Sequence, residues 1–166
     1  MTTAQANTKH PIRNTKHLRV GVDMSDDRIA TIQPVAESAA TGKVAEIYAD
    51  IKRTKNIDFV PNLWRVLAAN PTQLELVWNT LKTLMHPEAV GRKPALDATT
   101  REIIALVVSA TNGCDYCVNS HTAALRKLGQ STEAITESLA IAGLFNLTNT
   151  LADGYQVKPD ILPPLE

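Results

Sequence analysis

The sequence is poor in aromatic side chains and in cysteine. Only 4% of its 166 residues are Phe, Trp or Tyr, although 44% are hydrophobic. The core must therefore consist mostly of Leu, Ile, Val and Ala, a composition that favours packed helices over aromatic-rich strands. The length is typical of one domain that can bury a core without disulfide staples.

The chain also lacks an excess of either charge and any long hydrophobic run. Seventeen basic residues balance seventeen acidic ones, whereas a nucleic-acid-binding domain usually has a basic excess. The longest apolar runs, IIALVV and LAIAGLF, are too short to cross a bilayer, and the first residues lack the apolar stretch of a signal peptide. We therefore expect no nucleic-acid partner, no membrane partner and a cytoplasmic location, where thiols stay mostly reduced.

The spacing of apolar residues divides the chain into three parts. Residues 1–33 are polar and without a sustained period, which predicts a loosely ordered N-terminal arm. Residues 34–152 have helical periodicity and predict one helical domain, and residues 153–166 form a Pro-rich C-terminal tail. The predicted fold class is all-α. Helices are predicted near 42–54, between Pro61 and Pro71, from there to Pro87, over 99–112, from about 114 to 129, and from Ser131 to about 151.

The helix predicted over 99–112 is apolar nearly all round, which indicates burial at the centre of the domain. Thr99 and Glu102 have the spacing of a capping box at its start. Gly113 ends this helix, and Gly129 is predicted to end the next one in a left-handed conformation.

Both cysteines lie in the segment NGCDYCVNSH, residues 112–121. Cys114 and Cys117 are three residues apart at the predicted start of a helix, so they share a face and can form a disulfide across its first turn. A helix N-terminus stabilises a thiolate and can lower the pKa of a cysteine from about 8.5 to roughly 3.5–7.5. His121 follows one turn after Cys117 and is suited to deprotonate a thiol near neutral pH. The segment therefore indicates redox chemistry.

Other interpretations of the cysteine pair are open at this point. A zinc site would use the two cysteines and His121, with Glu102 as a fourth ligand, but structural zinc sites usually take their ligand pairs from separate elements. Haem attachment fails because Val118, and not a histidine, follows the second cysteine. The cysteines could also be coincidental neighbours of a surface histidine. We expect no metal and no cofactor.

Glu102 likewise has two interpretations. It could serve only as an N-terminal cap of its helix. Alternatively, a turn at Gly113 folds the next helix back beside it. Glu102 lies about three helical turns before Gly113, and His121 lies about two turns beyond it. If the second helix runs antiparallel beside the first, the two side chains lie at similar positions along the helix axes. A partly buried carboxylate there could orient His121 or exchange a proton with it.

The spacing of four residues resembles a known signature. Glu102, eleven residues, Cys114, two residues, Cys117, three residues and His121 are similar to the pattern of the AhpD-like alkylhydroperoxidases, within the carboxymuconolactone decarboxylase superfamily. The segments VPNLWRVLAANP and REIIALVVSATNGCDYCVNSHTAALRKLG resemble its peroxidase-related branch. The resemblance covers roughly residues 34–152.

The resemblance implies an all-helical fold that forms symmetric homo-oligomers, commonly trimers or hexamers. It implies reduction of a hydroperoxide through a CxxC disulfide that a dithiol reductant regenerates. Cys117 would attack the peroxide, Cys114 would resolve the intermediate, and Glu102 with His121 would form a proton relay. The best-studied members carry an additional histidine directly before the second cysteine, where this chain has Tyr116.

Two further functions stand beside the peroxidase. One is a lactone decarboxylase of the same superfamily, which the Cys114–Cys117 pair argues against because members of that branch generally lack it. The other is a non-enzymatic, redox-responsive interaction module in which the disulfide changes a surface. Turnover separates them, because only an enzyme consumes many equivalents of hydroperoxide.

Overall fold

The computed structural model describes residues 28–164, and in this range the chain contains helices and no strand. The all-α prediction is confirmed. The predicted arm over 1–33 lies, as far as residue 27, outside the described residues. The six α-helices of this range are, in chain order, α1 Gly42–Lys55, α2 Asn62–Leu67, α3 Pro71–Met85, α4 Ala98–Thr111, α5 Asp115–Lys127 and α6 Thr132–Gly154. A 3-10 helix precedes α1 at Glu37–Ala39, and another lies between α3 and α4 at Pro87–Val90.

The first three helices form an N-terminal lobe around one apolar core. Their buried side chains come from the apolar stripes that the sequence predicts, and two tryptophans lie at the centre. The rings of Trp64 and Trp78 pack edge to face with their centroids 5.1 Å apart, an arrangement that aromatic quadrupoles favour. The main core residues are Val44, Ile47, Tyr48, Ile51, Val60, Trp64, Leu74 and Trp78.

Asp50 joins α1 to α3 at the edge of this core. Its carboxylate accepts hydrogen bonds from Trp78 Nε1 at 2.7 Å and from Lys82 Nζ at 2.6 Å, and Arg53 also contacts it. Partial burial raises the pKa of Asp50, but the bonds from Lys82 and Trp78 outweigh burial and hold this pKa below its ordinary value. The carboxylate is therefore stabilised in the folded state.

The last three helices form a C-terminal lobe with its own core. Leu106 of α4, Leu125 of α5 and Ile135 of α6 are buried together. Gly129 has φ of +81° after α5, as predicted. Ser131 caps α6 by accepting a hydrogen bond from the Ala134 amide.

The predicted cap of α4 is wrong. The helix begins at Ala98, and its cap is Asp97 instead of Thr99. The Asp97 carboxylate accepts bonds from the Thr100 amide at 2.9 Å and from the Thr100 hydroxyl at 2.7 Å. A carboxylate can accept both bonds at once, which a Thr99 hydroxyl could not match. Glu102 is therefore free of a capping role.

The predicted burial of α4 is only partly correct. Leu106 and Ser109 are buried, but Ile104 and Val108 are 47% and 52% exposed. The reason is that the helices packed against α4, mainly α5 and α6, leave Ile104 and Val108 uncovered. Helix α6 is exposed in the same way, although positions 138 to 152 carry no charge. We call this surface the apolar face, formed by Ile104, Val108, Ile141, Leu144, Phe145, Leu147 and Leu151.

Within residues 28–164, no helix is both long enough and apolar enough to span a membrane.

We expect Asp50→Asn to lower the free energy of unfolding by about 2 kcal/mol at pH 7, because a charged hydrogen-bond acceptor is lost. The folded pKa of Asp50 lies below its unfolded value, so this stabilisation is present above about pH 4 and is lost as the pH falls through the folded pKa. The difference between parent and variant should therefore shrink at pH 3. Urea titrations at both pH values measure it. Asp58→Asn, at an exposed position, is the control, and equal effects of the two substitutions would contradict the prediction.

Candidate active site

The turn between α4 and α5 places the cysteine segment. Gly113 adopts φ of +68°, a left-handed conformation that favours glycine. The Cys114 amide then donates to the Ser109 carbonyl at 2.9 Å, which closes the turn. Helix α5 returns along α4, and the two cysteines lie at its start.

Glu102 and His121 meet across this helix pair. Glu102 Oε2 lies 2.7 Å from His121 Nδ1, and the two side chains are only 13% and 23% exposed. Because an ionised carboxylate can only accept, Nδ1–H is the donor and Nε2 is the nitrogen left for proton exchange. The contact expected from their similar heights is present in the structure.

Both cysteines are free thiols and are partly buried. Cys114 is the N-cap residue of α5, and its sulfur accepts a hydrogen bond from the Cys117 amide at 3.4 Å. The hydrogen bond with Cys114, burial and the charge of Cys114 together raise the pKa of Cys117, while a hydrogen bond with Ser109 lowers it to a smaller extent. Ionisation of Cys117 therefore depends on a nearby proton acceptor.

In the part of the chain that the structure describes, no group of three or more His, Cys, Asp or Glu side chains is arranged to hold a metal ion. Cys114, Cys117, Glu102 and His121 therefore do not form a zinc-type ligand set in the described chain.

Sequence reasoning missed Ser109. It is the only buried polar or charged side chain among the described residues. Ser109 follows Glu102 by seven residues, which is about two helical turns, so both side chains lie on the face of α4 that meets α5. Its position on the same helix face as Glu102, two turns further along, is the sequence signal that could have indicated it.

The N-terminal lobe also acts on this site. Burial lowers the pKa of Lys55 at the end of α1, and the charge of Glu102 partly offsets this effect. Burial lowers the pKa of His86 at the end of α3, and the charge of Lys55 lowers it further. His86 Nε2 is buried without a hydrogen-bond partner in the described chain. The Glu102 carboxylate therefore lies within electrostatic range of a partly buried ammonium group and a partly buried imidazole.

Tyr116 connects the cysteine turn to the N-terminal lobe. Its phenol oxygen accepts a hydrogen bond from the Leu63 amide of α2 at 3.2 Å, although the two residues are 53 positions apart. A second bond across the same junction runs from Lys127 Nζ to the Asn56 carbonyl at 3.4 Å. Tyr116 lies between the two cysteines, so the CxxC turn is attached to both lobes.

The fold and the site define an all-helical protein of the AhpD-like type, with a CxxC pair at a helix start. Residues 80–157 match the model of the carboxymuconolactone decarboxylase family. The crystal structure of an alkylhydroperoxidase AhpD core from Rhodospirillum rubrum is 38% identical in sequence, with a TM-score of 0.73, over 80% of this chain and 96% of that one. The chain belongs to the carboxymuconolactone decarboxylase family, in its AhpD-like branch.

Curated relatives named alkyl hydroperoxide reductase AhpD match this chain over shorter segments. The alkyl hydroperoxide reductase AhpD of Streptomyces avermitilis is 32% identical over 48% of this chain and 45% of its own length. The protein of the same name from Streptomyces griseus is 29% identical over 68% of this chain and 62% of its own length. The chain thus spans about half the length of these relatives.

We expect Tyr116→Phe to weaken the junction between the lobes, because the Leu63 amide loses its acceptor. The free energy of unfolding should fall by about 1 kcal/mol, and the Leu63 amide should exchange its hydrogen about fivefold faster. Native-state hydrogen exchange measures both effects. Tyr155→Phe, at a 75% exposed position, is the matched control. Unchanged exchange at Leu63 would contradict the prediction.

Proposed function

We propose that this chain is a thiol-dependent peroxidase that reduces hydroperoxides through a Cys114–Cys117 disulfide. The observation that carries the proposal is the 2.7 Å contact between Glu102 and His121, one helical turn from Cys117. Family membership and similarity to proteins named alkyl hydroperoxide reductase support it. We propose no metal and no cofactor.

The first step is oxidation of one cysteine. His121 Nε2 takes the thiol proton of Cys117, and the Glu102 carboxylate stabilises the resulting imidazolium through Nδ1–H. The Cys117 thiolate attacks the terminal oxygen of the hydroperoxide and the O–O bond breaks. The leaving alkoxide takes the proton from His121, so the products are an alcohol and a sulfenic acid on Cys117.

The second step forms the disulfide. The Cys114 sulfur attacks the sulfenic sulfur, and hydroxide leaves and takes up the Cys114 proton to become water. An external dithiol then reduces the Cys114–Cys117 disulfide by supplying two electrons and two protons. We propose a cytoplasmic location because dithiol donors stay reduced there.

Two physical arguments disagree on which cysteine attacks. Cys114 is nearest the helix N-terminus and its sulfur accepts an amide hydrogen bond, which favours a thiolate there. Cys117 is one turn from His121, and a dedicated base can outweigh a dipole that weakens within the first turn. Nucleophilicity also falls as thiol pKa falls, so a higher pKa is no bar to attack. We propose Cys117 as the attacking residue, and Cys114 as the resolving one.

A coupled assay with several hydroperoxides and dithiol donors tests the proposal. The parent should consume many equivalents of peroxide, whereas His121→Ala and Glu102→Gln should slow the reaction, the former by about 10²–10⁴-fold. Cys114→Ser should stop at a sulfenic acid on Cys117, detected by mass spectrometry, and Cys117→Ser should be nearly inert.

The outcomes separate the alternatives. Consumption of one equivalent followed by arrest, with dithiol present, would indicate a redox-responsive module. Lactone decarboxylation without peroxide turnover would place the chain with the other enzymes of the family. A sulfenic acid on Cys114 of the Cys117→Ser variant, formed at the parent rate, would reverse the roles of the two cysteines.

We propose further that a second copy of this chain covers the apolar face. This face combines two helices, and positions 138 to 152 carry no charge. It includes a groove of about 260 Å³ between Val108 and Phe145. Apolar side chains clustered on an exposed surface commonly mark a contact with another protein chain. A homo-oligomer, as trimer or hexamer, provides that contact.

We expect light scattering at micromolar concentration to show a species well above the 18.0 kDa of one chain. Phe145→Glu should shift it toward the monomer, because a charge in a buried interface lacks solvent and partner. Leu76→Glu is the control, since Leu76 lies on α3 and is 68% exposed. A strictly monomeric parent would overturn this proposal.

A further inference from the structure

The guanidinium of Arg65, on α2, is poorly satisfied by the described chain. Its side chain is partly buried, and its Nε atom is shielded from solvent without a hydrogen-bond partner among residues 28–164. The bond that the guanidinium makes there runs from Nη1 to Asn62 Oδ1, at a long 3.4 Å. An unpaired charge and an unsatisfied donor both cost free energy when they are buried, so the position of Arg65 requires a physical reason.

The acidic side chain on which the charge of Arg65 acts does not pair with it. Glu37 lies within electrostatic range of Arg65, but each of its two oxygens already accepts a hydrogen bond. One bond comes from the Val60 amide at 2.7 Å and the other from Lys52 Nζ at 2.8 Å. Tyr48 also lies within range of Arg65, and its phenol is neutral near pH 7. Among the described residues, the charge of Arg65 therefore has no partner of its own.

Arg65 lines a cavity of about 420 Å³ beside α2. The segment before α1 forms its other side, since the Val35 amide donates to the Arg65 carbonyl at 2.9 Å and holds this segment against α2. The lining combines a second guanidinium with polar and apolar side chains, namely Arg28, Thr31, Gln33, Ile29 and Pro34. Most of these side chains are exposed, so the cavity opens to solvent. Its volume lies in the range of sites for small organic ligands.

An arginine offers a preformed fork of donors to an oxyanion. Nε–H and one Nη2–H point in the same direction along one edge of the planar guanidinium, and these two donors match two oxygens of a carboxylate or a phosphate. In Arg65 the bond to Asn62 uses Nη1, so the edge that carries Nε is left for a ligand. A water molecule could satisfy Nε–H but would leave the charge unbalanced.

We propose that this cavity binds a small organic anion, with an oxyanion group on the Nε edge of Arg65 and the carbon skeleton against Ile29 and Pro34. The guanidinium of Arg28 adds positive charge to the same cavity, which favours an anion over a neutral or cationic ligand. Binding gives the buried Nε–H an acceptor and the Arg65 charge a counter-ion. The inference goes beyond the proposed function, because the cavity lies beside α2 and contains no residue of the cysteine turn.

NMR titration of the full chain tests the inference directly. The Nε–H resonance of Arg65 should shift downfield on addition of succinate or of methyl phosphate, because a hydrogen bond to a charged oxygen is short and strong. Succinamide, the neutral analogue of succinate, should leave this resonance unchanged. The larger response identifies the oxyanion, carboxylate or phosphate, that the cavity accepts. The Nε–H resonance of Arg92, an exposed residue with a 3.4 Å bond to the Thr83 carbonyl, is the internal reference and should not move.

Variants separate a binding role of Arg65 from a structural one. Arg65→Met keeps the hydrocarbon stem and removes an unpaired charge, so without ligand it should melt at the same temperature as the parent or higher. With the responding anion in excess, the melting temperature of the parent should rise and that of Arg65→Met should not. Arg65→Lys keeps the charge but not the fork, and should bind this anion about tenfold more weakly. Arg92→Met is the matched control and should respond to the anion like the parent.

An Arg65 Nε–H resonance that responds to neither anion would overturn the inference, as would equal shifts at Arg65 and Arg92, which indicate general charge screening. A lower melting temperature of Arg65→Met without ligand would also count against it, because the charge would then be compensated already in the folded protein. The titration of the parent decides the matter if a variant fails to fold. None of these measurements uses peroxide or a reductant, so failure of the proposed peroxidase function would leave this inference standing.

Discussion

The reversal of the chain at Gly113 is the constraint on which the rest of the site depends. The left-handed glycine and the bond from the Cys114 amide to the Ser109 carbonyl set how far α5 is shifted along α4. A shift of one residue would rotate Glu102 by about 100° around its helix and separate it from His121. The geometry of this turn therefore keeps Glu102 and His121 in contact.

Local patterns in the sequence predicted most of the fold and part of the site. Periodic apolar residues and glycines after helix ends are local signals, so the helices were found within a few residues. The contact between Glu102 and His121 could be predicted because they lie at comparable distances in sequence on either side of the turn at Gly113. In two antiparallel helices, such residues lie at similar positions along the helix axes. Asp97 and Thr99 are both of residue types that cap helices well. Asp97 caps α4 because its carboxylate also accepts a hydrogen bond from the Thr100 hydroxyl, and the sequence alone does not reveal this second bond.

Interactions between distant segments could not be predicted in this way. Tyr116 accepts a hydrogen bond from an amide 53 positions away, and the charge of Glu102 acts on Lys55 of the other lobe. Neither interaction has a local signature in the sequence. The apolar face shows a related limit: an apolar pattern indicates that α4 and α6 must be covered, but not whether the same chain does so. Ser109 was missed because one small polar residue in an apolar helix resembles a neutral substitution.

The N-cap role of Cys114 would couple the proposed disulfide to the stability of a helix. A reduced Cys114 sulfur accepts the Cys117 amide, whereas a sulfur in the proposed disulfide is a poorer acceptor. The start of α5 therefore stabilises the dithiol over the disulfide. A cap worth about 1 kcal/mol corresponds to about 20 mV in a two-electron reduction potential, in the oxidising direction. In the proposed cycle, the backbone of α5 thus favours reduction of the disulfide by a dithiol.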